Sequence, residues 1–468
     1  MSHIAVVGGG ISGLSAAYRL RRLLGEDARI TVFEATESLG GKLHTAELAG
    51  RPFDVGAEAF LARRPEATAL ATEIGLGTEV VHPTGARATV RVGGRAHGLP
   101  GGTVMGVPGS ADAVAGILSA EGLRAVAAEP ALPPVTLPVG DVSLGSLLRY
   151  RFGDELVDRL VDPLLGGVYA GGADGLGLRA TMPALAAALA GGAGSLTRAA
   201  ASLLPSSPST APVFGTLRGG AVTLVHRLVT LAGAEVRAGT PVCSLRRHGT
   251  GWRLELGAAA PDESPVHADA VLLAVPAPAA RRLLGDVAPD AAAAFGQVRL
   301  ASMAVVALAL PAGTEVPDAS GVLIGAGEHA DDGRPLSAKA FTFSSRKWAH
   351  LGGQGEPVLV RGSVGRFGDP GALRTDDDEL VRLVRADLAA LTGVTATPVD
   401  TLVTRWGGGL PQYGIGHLDL VSRIEGAVER VPGLAVAGAT LRGVGIPACI
   451  ATADAAARRL AAWYERSR

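Results

Sequence analysis

Apolar and polar positions alternate along this chain with two periods, and the switches between them mark its elements. His3 to Val7 reads as an apolar strand, and after a short turn Leu14, Ala17, Tyr18 and Leu20 recur at helical spacing. A second strand spans Arg29 to Phe33 and stops at Glu34. Beyond Lys42 the pattern predicts a strand, a turn at Ala49-Gly50-Arg51, and the run Phe53-Asp54-Val55-Gly56-Ala57-Glu58-Ala59-Phe60, whose apolar residues flank a glycine on both sides. Val90 to Arg95 reads as a hairpin turning at Gly93-Gly94. From Ser110 to Leu204 alanine and leucine return at threes and fours, broken at Ala128 to Gly140 by a proline-rich loop. That spacing predicts an inserted region of several short helices. Within it, Asp162 to Gly171 carries more glycine than a helix tolerates, so a bend close to a ligand or a neighbouring domain is expected.

A Ser/Pro linker from Pro205 to Pro212 returns the chain to mixed periods. Thr240 to Leu245 and Ala268 to Pro276 read as strands, and Val298 to about Val394 is strand-rich enough to form a separate sheet. In that stretch residues 376 to 392 predict one surface helix, opened by the acidic run Asp376-Asp377-Asp378-Glu379 that suits a helix N-terminus. The tail gives a buried strand at Leu434 to Gly438 and an alanine-rich helix reaching Trp463.

The chemistry begins in the first turn. In Gly8-x-Gly10-x-x-Gly13 the first glycine permits the tight turn, the second lets the backbone approach a pyrophosphate, and the third lets helix and strand pack closely. The pyrophosphate would sit on unpaired N–H groups at the positive end of the helix dipole. Glu34 falls twenty-one positions past Gly13, where an acid accepts hydrogen bonds from a ribose diol and repels a 2′-phosphate. An NADP site is therefore disfavoured.

Composition narrows the class. A chain of 468 residues exceeds one small core and predicts two or three domains. Its 43 basic and 44 acidic residues leave no global charge to attract nucleic acid or anionic lipid. No apolar run reaches the roughly 18 residues needed to span a bilayer, and Ala301 to Pro311 reads instead as a buried strand. The first residues already form a strand, which argues against a signal peptide. Cys243 and Cys449 stand far apart with no CxxC or His cluster, pointing to a reducing compartment and away from a metal site. A cytoplasmic protein is expected, with peripheral membrane contact left open.

After Glu34 the chain continues Ala35-Thr36-Glu37-Ser38-Leu39-Gly40-Gly41-Lys42, which resembles the extension that FAD-binding oxidoreductases of the amine-oxidase and protoporphyrinogen-oxidase superfamily carry after the ribose-binding acid. Four further segments occur in family order: Gly93-Gly94-Arg95 with Leu99-Pro100 and Gly106-Val107-Pro108; Thr342 to Trp348; Arg405-Trp406 with Pro411 to His417; and Arg442 to Ile450. Together they resemble the oxygen-dependent protoporphyrinogen oxidase family, in particular its Gram-positive and actinobacterial branch of coproporphyrinogen III oxidases. That resemblance implies an α/β fold: a Rossmann-like FAD-binding domain from residues 1–60, 213–290 and 400–468, a mixed-sheet substrate domain from 61–109 and 291–399, and a helical insert over 110–212. The insert is open to three roles, as a lid, a membrane-surface patch or packing mass.

The same resemblance implies FAD held noncovalently at Gly8, Gly9, Gly10, Ile11, Ser12, Gly13, Glu34, Ala35, Lys42, Gly56, Ala57, Glu58, Ala59, Val242, Trp406, Val444, Gly445 and Ile446. It implies a porphyrinogen substrate, molecular oxygen as acceptor and hydrogen peroxide as co-product, with hand-over of product to a ferrochelatase as a further candidate contact. Mitochondrial-type members place an arginine where this chain has Glu58, so Arg63 or Arg64 becomes the better anchor for a propionate. Lys339, Arg346 and Lys347 are further candidate cations for a substrate with several carboxylates. No residue stands out as a catalytic base, and His417 reads as structural. A flavin amine oxidase, a carotenoid desaturase, a protoporphyrinogen IX oxidase and a flavoprotein scaffold without turnover remain the rival readings.

Overall fold

A computed structural model of the protein describes residues 3–206, 211–257, 265–369 and 371–467; within the Ser/Pro linker, 207–210 lie outside the described residues. Strand β1 (His3–Val7) pairs in parallel with β2 (Arg29–Phe33) on one side and with Ala270–Leu273 on the other. Glu235–Arg237 and Leu434–Val436 complete a five-stranded parallel sheet. Strands from both ends and the middle of the sequence thus close one sheet.

Parallel strands need both faces covered, which explains why these read as continuous apolar runs. One face packs on helix α1 (Ile11–Leu24), on Val222–Ala232 and on the tail helix Ile446–Ser467, around Leu14, Leu20, Ile30 and Val32. Each of those four side chains is almost wholly withdrawn from water, contributing about 1.5–3 kcal/mol of burial. The other face packs on helices Ala277–Leu284, Pro289–Phe295 and His417–Glu429 around Trp252 and Leu283.

A second sheet of seven strands runs in the order Asp400–Pro411, Leu300–Leu310, Val358–Val364, Ala338–Thr342, Gly321–Ile324, Ala88–Val92, Arg95–Gly98. All of its pairs are antiparallel except Gly321–Ile324 with Ala88–Val92. Asp400–Pro411, grouped above with the cofactor segments, is the edge strand here, hydrogen-bonded along Leu300–Leu310. One face of this sheet is covered by helix Asp377–Thr392, where Leu380, Val384 and Leu388 point inward and the Asp376 carboxylate caps the Glu379 N–H at 2.9 Å. The opposite face meets the hairpin of β3 (Thr45–Leu48) and β4 (Arg51–Asp54), with Leu48, Phe53 and Val55 packed on Ala307, Ala309 and Leu359.

The region after Ser110 is helical and has its own core, including Leu148, Phe152, Leu160 and Leu165. One expectation holds in part there: the bend within Asp162 to Gly171 is present, at Ala170 with φ +56°, but Asp162–Tyr169 before it is a helix despite its glycines. Tertiary packing overrides the low helix propensity of Gly166 and Gly167. A Cβ on them would lie 3.3 Å from Arg366 and 3.4 Å from Leu323, so the two glycines let the helix lie close against the seven-stranded sheet.

Candidate flavin and substrate site

The turn after β1 is built as its glycines require. Gly8 has φ +108°, and a Cβ on Gly13 would stand 1.8 Å from the Gly8 carbonyl oxygen, so only glycine lets α1 start so close to the turn. At Gly10 the nearest atom to such a Cβ is the Gly40 carbonyl oxygen, 3.8 Å away, leaving the open side of the cradle free. Ile11 and Ser12 begin the helix, presenting first-turn N–H groups that a helix leaves without internal partners. The Glu34 carboxylate accepts from Gly9 N–H at 2.8 Å and from the N–H and hydroxyl of Thr36, each at 2.9 Å. It braces the turn and keeps acceptor capacity, with exposed Ala35 beside it.

The extension folds back on this cradle. Gly40 N–H donates to the Gly9 carbonyl at 2.8 Å, and the Lys42 carbonyl accepts from Ala57 N–H at 2.8 Å, which ties the Gly56–Ala59 loop to the same place. Burial pulls the Lys42 pKa down, and the chain lays the buried Cys449 beside it, at the start of the tail helix. Val242 opens the strand Val242–His248, and its carbonyl accepts from Arg282 at 3.3 Å. Trp406 donates from Nε1 to the Val55 carbonyl at 3.0 Å, fixing the edge of the seven-stranded sheet to the loop.

The motif Pro411 to His417 supports the approach to the tail helix. Tyr413 donates to the Ala439 carbonyl at 2.6 Å and accepts from Gly443 N–H at 2.7 Å. His417 stacks on the Tyr413 ring at 4.0 Å and bonds the Leu441 carbonyl at 2.9 Å. Burial lowers its pKa, so it is a packed, structural imidazole. The brace places Val444, Gly445 and Ile446 at the N-terminal end of the tail helix, whose first turn leaves N–H groups for a ligand.

The candidate cations separate into different settings. Arg63 is exposed, and Arg64 spends its guanidinium on Glu66 at 2.8 and 3.3 Å. Arg346 is exposed too. Lys347 forms a short ion pair with Glu58 and lies over the Trp348 ring at 5.0 Å. Burial works to raise the Glu58 pKa, but Lys347 and Arg361 together hold it below the usual carboxylate range. Lys339 is 4% exposed and has no carboxylate within ion-pair reach among the described residues. Its Nζ is 4.0 Å from Met303 Sδ.

Sequence reading missed Arg361 and Arg366. Arg361 donates to the carbonyls of Gly56 at 2.6 Å and Asp54 at 3.0 Å, and lies 3.5 Å from Glu58. Arg366 donates to the Ile324 carbonyl at 2.7 Å. A signal was available for the first, since Arg361 is the one charged residue in the strand Val358–Val364. The chain has three lysines among its 43 basic residues, and all three border the 54–59 loop or the sheet face it rests on.

The two-sheet body and the glycine cradle define a flavin-binding oxidoreductase. The profile of the flavin containing amine oxidoreductases matches residues 11–461, and the chain belongs to that family, whose cofactor class is a flavin. A cyclohexylamine oxidase from Brevibacterium oxydans IH-35A shares the fold, with a TM-score of 0.72 at 16% identity and 100% of both chains covered. Within the family, the chain is similar to the coproporphyrinogen III oxidase of Mycobacterium leprae, at 46% identity over 98% of each chain, and falls in that actinobacterial branch. A solved Exiguobacterium sp. 255-15 structure assigned to the protoporphyrinogen oxidases superposes with a TM-score of 0.86 at 32% identity, covering 98% of this chain and 99% of the other. No helix among the described residues is long and apolar enough to cross a membrane.

Proposed function

We propose that this chain oxidises coproporphyrinogen III to coproporphyrin III, using noncovalently held FAD with molecular oxygen as acceptor and releasing hydrogen peroxide. The observation that carries this reading is the likeness to the mycobacterial enzyme over nearly the whole of both chains, which extends through the substrate sheet as well as the cofactor cradle. When bound, the flavin would supply the redox chemistry, as acceptor of hydride from a methylene bridge of the substrate and donor of electrons to oxygen.

The chain supplies binding and position. In this reading the Gly8–Gly13 turn and the start of α1 hold the pyrophosphate, Glu34 and Ala35 the ribose, and Val242 the adenine side. Lys42, Gly56, Ala57, Glu58, Ala59 and Trp406 flank the ring system. Val444, Gly445 and Ile446 offer the N–H groups of the tail helix, where negative charge on the reduced ring is favoured. Glu58 neutralises Lys347 and Arg361 beside the loop, so it orders cations there and does not act as a free base. Apolar side chains exposed on the helical region, among them Leu132, Val139 and Tyr150, support contact with a membrane surface or hand-over to a ferrochelatase. Co-sedimentation with lipid vesicles tests the first.

The central test is anaerobic loading of coproporphyrinogen followed by oxygen. Porphyrin fluorescence should rise with hydrogen peroxide release, faster than with protoporphyrinogen. Preference for protoporphyrinogen would move the chain to the other branch, and a colourless protein that takes up no FAD would overturn the reading. Glu34→Arg should strip the yellow colour; full retention of flavin would refute the ribose role.

A further inference from the structure

The strand Ala338–Thr342 carries a bulge where its pairing with Val358–Val364 slips between Ala338 and Ala340. Ala338 and Phe341 still point into the core under helix Asp377–Thr392. Lys339 is the extra residue, and the bulge turns it to the opposite face, toward Met303. This is the face that meets the 54–59 loop through Arg361 and Trp406. A buried ammonium normally has an anion beside it, because withdrawing an unpaired charge from water is expensive. Here its charged neighbours are Arg361 and Arg366, both cations.

We propose that Lys339, with Arg366 beside it, anchors a propionate carboxylate of the substrate. This rests on the porphyrinogen reading above and names the group that reads the substrate's charge. The other polar groups in this part of the fold are already committed. Glu58 pairs with Arg361 and Lys347; Asp162, on the helix Asp162–Tyr169, accepts from Ala173 N–H at 2.7 Å and places its negative charge near Arg366 but not within ion-pair reach of Lys339; and Arg405 turns to the other face of the sheet, to Asp377. Tyr169, on the same helix, is buried, and burial pushes its phenol up to about 12, so it carries no charge. Around Lys339 the described residues therefore place cations in excess, and none of their carboxylates lies within ion-pair reach of its ammonium.

The choice of lysine adds a consequence. Burial, with Arg366 and Arg361 nearby, pulls the Lys339 pKa down to about 7, so above that pH the empty site holds a neutral amine. A carboxylate reaching Lys339 restores the charged form and draws in a proton. Arginine would stay charged throughout, and it is the cation this chain uses everywhere except at its three lysines. Affinity for the substrate thus falls as pH rises above about 7.

The test uses the flavin-loaded protein and coproporphyrin III, the stable tetracarboxylate product, whose fluorescence reports binding. Wild-type Kd should be flat below pH 7 and weaken by up to about tenfold per pH unit above it, with proton uptake seen by calorimetry in two buffers of different ionisation enthalpy. Lys339→Met should weaken binding at pH 6 by about 30-fold or more. Lys339→Arg should keep the affinity and lose the pH slope. In turnover, Lys339→Met should raise KM with kcat within about threefold. A pH-independent wild-type Kd between 6 and 9 overturns the proposal even if the variants fail to fold. So does a fall in kcat with unchanged Kd, which would make Lys339 a proton acceptor. Absence of coproporphyrin binding at every pH would instead remove the underlying functional reading.

Discussion

Arg151 in the helical region and Lys339 in the seven-stranded sheet are both almost fully withdrawn from water, and the chain treats them in opposite ways. Arg151 is met by Glu129 at 2.7 Å, which is itself wholly buried, and by the Pro133 carbonyl at 2.7 Å. Burial works to raise the Glu129 pKa, but the N–H groups of Leu196 and Thr197 and the Arg151 guanidinium hold it below the usual range. Every charge in that cluster has its partner inside the fold. Lys339 has none within ion-pair reach among the described residues, and the charged neighbours that act on it share its sign. A buried charge satisfied within the chain belongs to the architecture, whereas one left without its counter-ion marks where something from outside is to bind.

The contrast can be broken from either side. The largest effect is expected from Glu129→Gln, which leaves Arg151 buried without its anion and should lower stability by about 3–5 kcal/mol in denaturant unfolding. A loss under 1 kcal/mol would mean that the pair is not a structural centre. Lys339→Met should act in the opposite direction, raising stability at pH 7 by roughly 1–3 kcal/mol because it removes a buried charge with no partner. The sign follows from linkage. A lysine pKa lowered on folding makes the wild type gain stability as pH rises from about 7 toward 10.5, so the advantage of methionine should shrink over that window. A pH-independent difference would refute this.

Smaller effects sharpen the same comparison at the loop and its brace. Tyr413→Phe removes the hydroxyl that joins Ala439 to Gly443, and should cost about 1–2 kcal/mol, with weaker flavin retention on dilution. Unchanged flavin affinity would separate the brace from the cofactor site. Asp54, which accepts from Ala221 N–H at 3.0 Å and bonds the Thr45 hydroxyl at 2.5 Å, is pushed up by burial to about 6. Its raised pKa means that stability falls as pH rises from about 4 to 6. Asp54→Asn should therefore stabilise by about 1 kcal/mol above pH 6 and by nothing near pH 4, checked by thermal melts at both values.

The cofactor half of the molecule was legible because its signals are local. The Gly8–Gly13 spacing, the apolar strands and Glu34 each act within one turn or one strand, and all fall where they were expected. The acidic opening of helix Asp377–Thr392 was legible for the same reason. The helix over Asp162–Tyr169 was not, because its glycines answer to Arg366 and Leu323, some two hundred and one hundred and sixty positions away. The basic residues were visible as candidates, but not sorted: Glu66 stands two positions from Arg64, whereas nothing near Lys347 in sequence says that it meets Glu58.

The sequence by itself determined the nucleotide cradle, the alternation of sheets and helices and the kinship that both imply, since periodicity and glycine spacing act over a few residues. Only the tertiary structure decided which cations are spent and which are left over. That depends on a bulge of one residue in Ala338–Thr342, and on carboxylates brought from distant segments to some cations while, among the described residues, none comes within reach of Lys339. Charge is neutralised across space, and sequence order does not record those distances.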